Sequence, residues 1–132
     1  MKSVTQEQSM GCGIACVAFA LNKSYPNTRK LFDNPEYSSS KGYYLRDLIK
    51  VLNRKSKEYL SGKVTDKNRN LLKKEGAIVF IKRCKRYPVG HYLIKTSKGW
   101  MNPWINFPEI KPAKSGFERN LPGEPQWIIY ER

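Results

Sequence analysis

The chain has 132 residues, of which 25 are Lys or Arg and 11 are Asp or Glu, so its formal net charge at pH 7 is +14. A chain of this length is large enough for one domain that buries about two-thirds of its unfolded surface, and we expect a single domain over residues 1–132. The N-terminus, Met1–Met10, is polar, and the apolar run behind it is too short for a membrane span. The sequence therefore indicates neither a secretory signal nor a membrane helix.

The cysteines indicate reduced thiols. Cys12, Cys16 and Cys84 are an odd number and lack the spacing of a disulfide framework, so we expect the protein to act in a cytoplasm. A metal site made of Cys12, Cys16 and His91 would have no fourth ligand and no CxxC element. We therefore predict no metal and no other cofactor.

The positive charge is concentrated in the middle third of the chain. Between Lys50 and Arg86, three acidic residues face thirteen basic ones, which are Lys50, Arg54, Lys55, Lys57, Lys63, Lys67, Arg69, Lys73, Lys74, Lys82, Arg83, Lys85 and Arg86. Such a run is either a solvated surface or a site for RNA or another polyanion. The sequence leaves both interpretations open.

The first half of the chain has the pattern of helices. Small and apolar residues from Ile14 to Leu21 predict a buried helix, and Asn27-Thr28 is the expected cap of a short helix that ends before Asn34-Pro35. A loop is expected over residues 37–42. The apolar residues Tyr44, Leu45, Leu48, Ile49 and Leu52 then recur at helical spacing. A brief strand over residues 57–63 and a helical stretch from residue 65 or 66 to residue 74 are expected to follow.

The second half has the pattern of strands. Residues 77–81 form a β-branched and aromatic run, and residues 91–96 and 99–102 read as two strands joined by the turn Ser97-Lys98-Gly99. Residues 103–125 are rich in Pro, Gly and Asn and predict a long loop before a closing strand at residues 127–130. Helices followed by antiparallel strands predict an α+β domain.

The stretch Gln6–Leu21 contains the strongest chemical signal. Gly11 and Gly13 flank Cys12, which places the thiol where a loop runs into a helix. The amide groups and the positive end of the dipole at a helix N-terminus favour an anion. We therefore expect the Cys12 thiol to ionise more readily than a free thiol.

A cysteine hydrolase needs a nucleophile, a base, a group that orients the base, and donors for the oxyanion. Cys12 is the candidate nucleophile, and His91, the single histidine of the chain, is the candidate base. The predicted hairpin brings Asn102 back towards His91. Cys16 lies one helical turn after Cys12 and is expected to belong to the core.

These residues resemble the papain-like cysteine peptidases, in which a Gln precedes a Cys-Gly at the start of a small-residue helix. Gln6, Cys12, the segment Gly42–Leu48, the strand Gly90–Ile94 and the pair Asn102-Pro103 resemble, in order, the peptidase domains of ABC exporters that remove double-glycine leaders from bacteriocins. The exporter peptidases usually have Asp where this chain has Asn102, which matches the wider group. The resemblance implies a papain-like fold with N-terminal helices packed on a C-terminal antiparallel sheet.

The resemblance also implies roles for the site residues. Asn102 would hold the His91 tautomer, and the Gln6 side-chain amide would donate to the oxyanion together with the Cys12 backbone. The function that follows is a thiol hydrolase, a peptidase or amidase with a peptide or protein substrate. A basic domain of this size would suit an effector or toxin delivered into the cytoplasm of a target cell, with an acidic protein as its inhibitor. The alternative is an RNA-targeting toxin, a ribonuclease or RNA-binding protein, with the same fold and with Lys50–Arg86 tracking phosphates.

Overall fold

The computed structural model describes residues 2–54 and 58–132. Within these ranges the α-helices are α1 (Cys12–Leu21), α2 (Tyr25–Arg29) and α3 (Leu45–Asn53), and short 3-10 helices span Pro35–Ser39 and Arg69–Lys73. The strands are β1 (Tyr59–Lys63), β2 (Ile78–Ile81), β3 (His91–Thr96), β4 (Gly99–Asn102), β5 (Gly116–Glu118) and β6 (Pro125–Glu131). They form one six-stranded antiparallel sheet in the order β1-β6-β2-β3-β4-β5. The predicted α+β class is confirmed.

Helix α1 is the central helix of the fold and packs on β3. It has no polar face, since its residues from Gly13 to Ala18 are all buried. Its small side chains allow α1 to lie close to α3 and β3, because a Cβ added at Gly13 would lie 3.0 Å from Leu48 Cδ1 and 3.4 Å from the Tyr92 ring. The helix ends at Leu21 and is capped by Asn22, which adopts the left-handed conformation with φ of 55° and donates its backbone amide to the last turn.

The sheet has an apolar core on each face. Alternate residues of β2 point to opposite sides, so Ile78 packs with α1 and α3 while Val79 packs with Leu93 and Trp100 on the other side. This explains why residues 78–81 read as a continuous apolar run rather than as an alternating one. Within the described ranges no helix combines the length and the hydrophobicity that a membrane crossing requires.

Several predicted element boundaries are wrong. The short helix begins at Tyr25 and is capped by Ser24, whose Oγ accepts from the Asn27 amide at 3.3 Å, so Asn27-Thr28 lies inside it. Pro26 is compatible with this because a proline in the first turn withholds an amide that has no helical partner. The predicted loop at residues 37–42 begins inside a 3-10 helix, and the helical stretch expected up to residue 74 is only the 3-10 turn Arg69–Lys73. The strand predicted from residue 57 begins at Tyr59, and residue 57 lies outside the described residues.

The predicted hairpin of β3 and β4 is confirmed, with Thr96 opposite Gly99 and Ile94 opposite Met101. The region predicted as one long loop contains a further strand, β5, which pairs with β4 so that Asn102 lies opposite Gly116. A strand of only three residues shows no alternation that a sequence pattern could reveal. Its position matters because it brings Glu118 to the end of the sheet that carries the candidate site.

Gly90, which precedes β3, offers a test of the packing beside the site. Its φ is +82°, and an added Cβ would lie 2.3 Å from Phe80 Cζ, whereas Gly76 has a φ of +92° and no heavy atom within 4 Å of an added Cβ. Both Ala substitutions incur backbone strain, but only Gly90→Ala adds a clash, so it should lower the free energy of unfolding by about 1–3 kcal/mol more than Gly76→Ala. Chemical denaturation of both variants measures the difference. An equal loss of unfolding free energy in the two variants would mean that the Phe80 ring moves aside without an energetic cost.

Candidate active site

Cys12 is the first residue of α1, as predicted, and it is partly exposed. Burial of the thiol raises its pKa to about 11, although backbone hydrogen bonds from Tyr92, Gly13 and Cys12 itself act in the opposite direction. The expectation that Cys12 ionises more readily than a free thiol is therefore wrong for this state of the protein. The helix terminus supplies the expected donors, but the loss of water around the sulfur outweighs them.

His91 opens strand β3 and is only 4% exposed. Its Nε2 lies 2.8 Å from Asn102 Oδ1, and its ring stacks on the Tyr87 ring with the centroids 4.1 Å apart. Burial lowers the pKa of the imidazole to about 4, with a further lowering by the charge of Arg86, while the hydrogen bond that His91 donates to Asn102 acts against the shift. His91 is therefore neutral at pH 7.

The amide of Asn102 has a fixed orientation. Its Oδ1 also accepts from the Trp104 backbone amide at 2.9 Å, and its Nδ2 donates to Glu118 Oε2 at 2.6 Å and to the Tyr87 hydroxyl at 2.9 Å. A backbone N–H can only donate and a carboxylate can only accept, so a reversed amide would lose both contacts. The oxygen of Asn102 must face His91.

This orientation determines the tautomer of His91. Because Asn102 Oδ1 can only accept, the proton of the neutral imidazole lies on Nε2. The lone pair is then on Nδ1, for which no hydrogen-bond partner is found among the described residues. The predicted pairing of His91 and Asn102 is present, and the remaining nitrogen is the one that can accept a proton.

Behind Asn102 lies a salt bridge that the sequence did not indicate. Arg86 Nη1 donates to Glu118 Oε1 at 2.8 Å, and Arg86 Nη2 donates to the Ile105 carbonyl at 2.9 Å. Glu118 thus binds Arg86 with one oxygen and Asn102 with the other. The sequence placed Glu118 in a loop and Arg86 in a basic run, and their pairing depends on β5, which no pattern revealed.

Tyr87 and Trp104 complete the surroundings of the histidine. The Tyr87 hydroxyl donates to the Trp104 carbonyl at 2.7 Å while it accepts from Asn102. One side of the imidazole is covered by the tyrosine ring, which explains why water does not reach it from that direction. Trp104 lies two residues after Asn102, and this short separation was the one feature of the sequence that indicated a position near His91.

Gln6 is buried close to α1, but its side-chain amide is hydrogen-bonded to nearby backbone carbonyl groups. Its Nε2 donates to the carbonyl groups of Gln8 and Ser9 at 3.0 and 3.1 Å, and its backbone amide donates to the Pro103 carbonyl at 3.3 Å. Its Oε1 is the single buried side-chain oxygen or nitrogen without a partner in the described part of the chain. The role of Gln6 as an oxyanion donor stays a prediction. To donate to an oxyanion, Nε2 would have to give up its hydrogen bond to the carbonyl of Gln8 or of Ser9.

A cleft of about 610 Å³ brings the candidate nucleophile and base to a common space, because Cys12 and His91 both line it. No hydrogen bond joins their side chains in the described ranges, but the Cys12 thiol is bonded by the backbone of Tyr92, the residue that follows His91. The volume is in the range of small-molecule and peptide sites. Gln6 and Asn102 are buried and are not among the lining residues.

The described residues contain no group of three or more His, Cys, Asp or Glu side chains placed to hold a metal ion. All three cysteines are free: Cys16 is buried in the core beneath Cys12, and Cys84 accepts from the Tyr87 amide.

Of the basic region, Lys50 and Arg54 pair with Asp33, Lys82 pairs with Glu124 and Arg86 pairs with Glu118. Lys55 and Lys57 lie outside the described residues.

Comparison of the sequence with protein-family models and with curated proteins gives no match. The site is therefore defined by its own geometry. Its parts are a buried thiol at a helix N-terminus, a neutral histidine with its proton on Nε2, and an asparagine held by a carboxylate, all beside one cleft.

We expect NMR of isotope-labelled histidine to find the Nε2–H tautomer at neutral pH, with an imidazole titration midpoint near pH 4. His91 is the only histidine, so the assignment is unambiguous. In Glu118→Gln, the new amide can donate as well as accept and no longer excludes a reversed Asn102, so a minor Nδ1–H population should appear against the preference that the Trp104 amide still sets. Glu75→Gln, at an exposed position away from the site, is the matched control. A wild-type Nδ1–H signal would contradict the assigned orientation of Asn102.

The low pKa of His91 also links stability to pH. Between about pH 6.5 and pH 4 the unfolded chain binds a proton at His91 that the folded chain does not. The free energy of unfolding therefore falls by about 3 kcal/mol as the pH is lowered over that interval. His91→Gln keeps an amide donor for Asn102 and removes the titration. The stability difference between wild type and His91→Gln should therefore change by this amount, measured by chemical denaturation across the interval. Parallel pH curves for the two proteins would rule out a buried neutral imidazole.

Proposed function

We propose that the protein is a papain-like thiol hydrolase, a peptidase or amidase that forms an acyl-enzyme on Cys12. The observation that carries this proposal is the fixed Asn102 amide, which makes Nδ1 the basic nitrogen of His91, a residue that lines the same cleft as Cys12. The order Gln6, Cys12, His91, Asn102 along a chain of helices followed by an antiparallel sheet supports the papain-like relationship.

The pKa values define how the chemistry would begin. A thiol with a pKa of about 11 and an imidazole with a pKa of about 4 are both shifted by burial towards their neutral forms, so the free protein favours the neutral pair over a thiolate–imidazolium pair. The proton of Cys12 Sγ would pass to His91 Nδ1 as the sulfur attacks the substrate carbonyl. The imidazolium would then be stabilised through Nε2 by Asn102, whose own Nδ2 is held by the Glu118 carboxylate.

The remaining steps return both groups to their starting state. When the tetrahedral intermediate collapses, the C–N bond breaks and the leaving amine takes the proton from Nδ1. Water then attacks the thioester, giving one proton to Nδ1, and the C–S bond breaks as the thiol recovers that proton. The backbone amides at the start of α1, which already point to the Cys12 sulfur, are the donors available to the oxyanion.

Acyl chemistry is favoured over the RNA-targeting alternative by the type of nucleophile. A cysteine with a histidine base suits attack at a carbonyl carbon, whereas the basic region from Lys50 to Arg86 is partly neutralised by Asp33, Glu118 and Glu124. The exposed cations at Lys63, Lys67, Arg69 and Lys73 still give the protein an affinity for polyanions that weakens with salt. That affinity does not require the site.

The proposal is tested with p-nitrophenyl acetate as an activated acyl donor. We expect a burst of p-nitrophenol equal to the protein concentration, with the acetyl group on the Cys12 peptide in mass spectrometry. Cys12→Ala should abolish the burst, whereas Cys16→Ala, at a buried position one turn along the same helix, should retain it. Acetylation spread over lysines and Cys84 without a burst would refute the nucleophile assignment.

The same assay separates the roles of Gln6 and the backbone amides. If the Gln6 side chain turns to the oxyanion, Gln6→Ala should slow acylation by about 100-fold, the usual cost of one lost donor. An unchanged rate would assign the oxyanion to the backbone amides alone and would leave the thiol hydrolase proposal intact.

A further inference from the structure

The described lining of the cleft beside Cys12 carries positive charge and no negative charge. Three cations line it, Lys41, Arg46 and Arg83, and no Asp or Glu is among its described lining residues. All three are exposed, and none forms a salt bridge within the described part of the chain. This differs from Lys50, Lys82 and Arg86 nearby in the sequence, which have carboxylate partners.

Two of these cations are held by aromatic rings rather than by carboxylates. Lys41 Nζ lies 4.1 Å from the centre of the Tyr37 ring, and the guanidinium carbon of Arg46 lies 4.8 Å from the centre of the Tyr44 ring. A cation on a ring face keeps its N–H donors available. Arg46 in particular can bind an incoming carboxylate with two parallel hydrogen bonds.

The rest of the cleft is apolar, and several of its side chains are exposed without cover. Tyr44 is 66% exposed, Val89 is 56% exposed and Trp127 is 37% exposed, and all three line the cleft. Met10 and Leu45 add aliphatic surface. Apolar surface rimmed by polar groups marks a binding site, and side chains of Leu or Phe type would bury it.

We infer that the cleft binds an extended peptide segment that carries acidic side chains among apolar ones. This names the substrate class of the proposed thiol hydrolase and rests on that proposal. The acidic side chains would pair with Lys41, Arg46 and Arg83, and the apolar ones would cover Tyr44, Val89 and Trp127. An RNA strand fits less well, because three separated cations are few for a phosphate backbone and, of the two exposed rings, Tyr44 already carries the Arg46 guanidinium on its face.

The test measures binding on its own, with the Cys12→Ala protein so that nothing is cleaved. Fluorescence anisotropy follows a labelled peptide in which leucine and glutamate are interspersed with glycine and serine, beside peptides with glutamine or lysine in place of glutamate. We expect the glutamate peptide to bind about tenfold more tightly than the glutamine peptide, since three exposed ion pairs, each worth about a factor of two, together provide about that factor. The lysine peptide should bind least.

A pair of triple variants locates the effect. Lys41→Gln, Arg46→Gln and Arg83→Gln together should abolish the preference for glutamate, whereas Lys23→Gln, Lys30→Gln and Lys111→Gln, which remove the same charge from exposed positions outside the cleft, should preserve most of it. Equal binding of the glutamate and glutamine peptides would overturn the inference, as would equal effects of the two triple variants. An oligouridine that outcompetes the glutamate peptide and loses affinity only in the cleft variant would overturn it in favour of RNA.

The two proposals fail separately. Loss of the glutamate preference while p-nitrophenyl acetate still acetylates Cys12 would remove only the acidic substrate class. Acidic-peptide binding without acetylation of Cys12 would leave the cleft as a peptide-binding site and would remove the hydrolase proposal.

Discussion

The buried hydrogen bond between His91 and Asn102 is the interaction on which the candidate site depends. Both residues are almost without solvent contact, so neither would keep a defined state without the other's polar atom. Asn102 fixes the imidazole proton on Nε2, and Glu118 and the Trp104 amide fix Asn102. The chemistry proposed for Cys12 thus rests on a chain of contacts that extends to Arg86 on the far side of the asparagine.

The burial that orders this network also suppresses ionisation. Removing water raises the pKa of the thiol to about 11 and lowers that of the imidazole to about 4, so the resting protein holds two neutral groups beside a cationic, apolar cleft. A substrate that brings negative side chains to Lys41, Arg46 and Arg83 would also bring negative potential towards His91, which favours its protonated form. Binding and activation would then be coupled through charge.

The sequence revealed the parts of the site that rest on local patterns. The small-residue helix beginning at Cys12, the strand beginning at His91 and the turn before Gly99 all follow from short stretches, and the hairpin places Asn102 beside His91. Glu118, Arg86 and Tyr87 could not be found in this way, because their contacts depend on β5 and on loops that only the folded chain brings together. The pKa of Cys12 was predicted in the wrong direction, since a helix terminus can be recognised from glycine and alanine but the solvent around a sulfur cannot.

The turn between β3 and β4 is part of the site although none of its atoms touches His91. Side chains alternate between the faces of a strand, and Met101 packs with α1 whereas Asn102 faces the opposite side with Trp100. One residue more in the turn would move Met101 to the position of Asn102 and put a methionine opposite the imidazole. The turn cannot readily adjust, because Gly99 has a φ of +103° and an added Cβ there would lie 2.5 Å from the Glu118 carbonyl. The number of residues in a solvent-facing turn therefore determines which nitrogen of a buried histidine carries the proton.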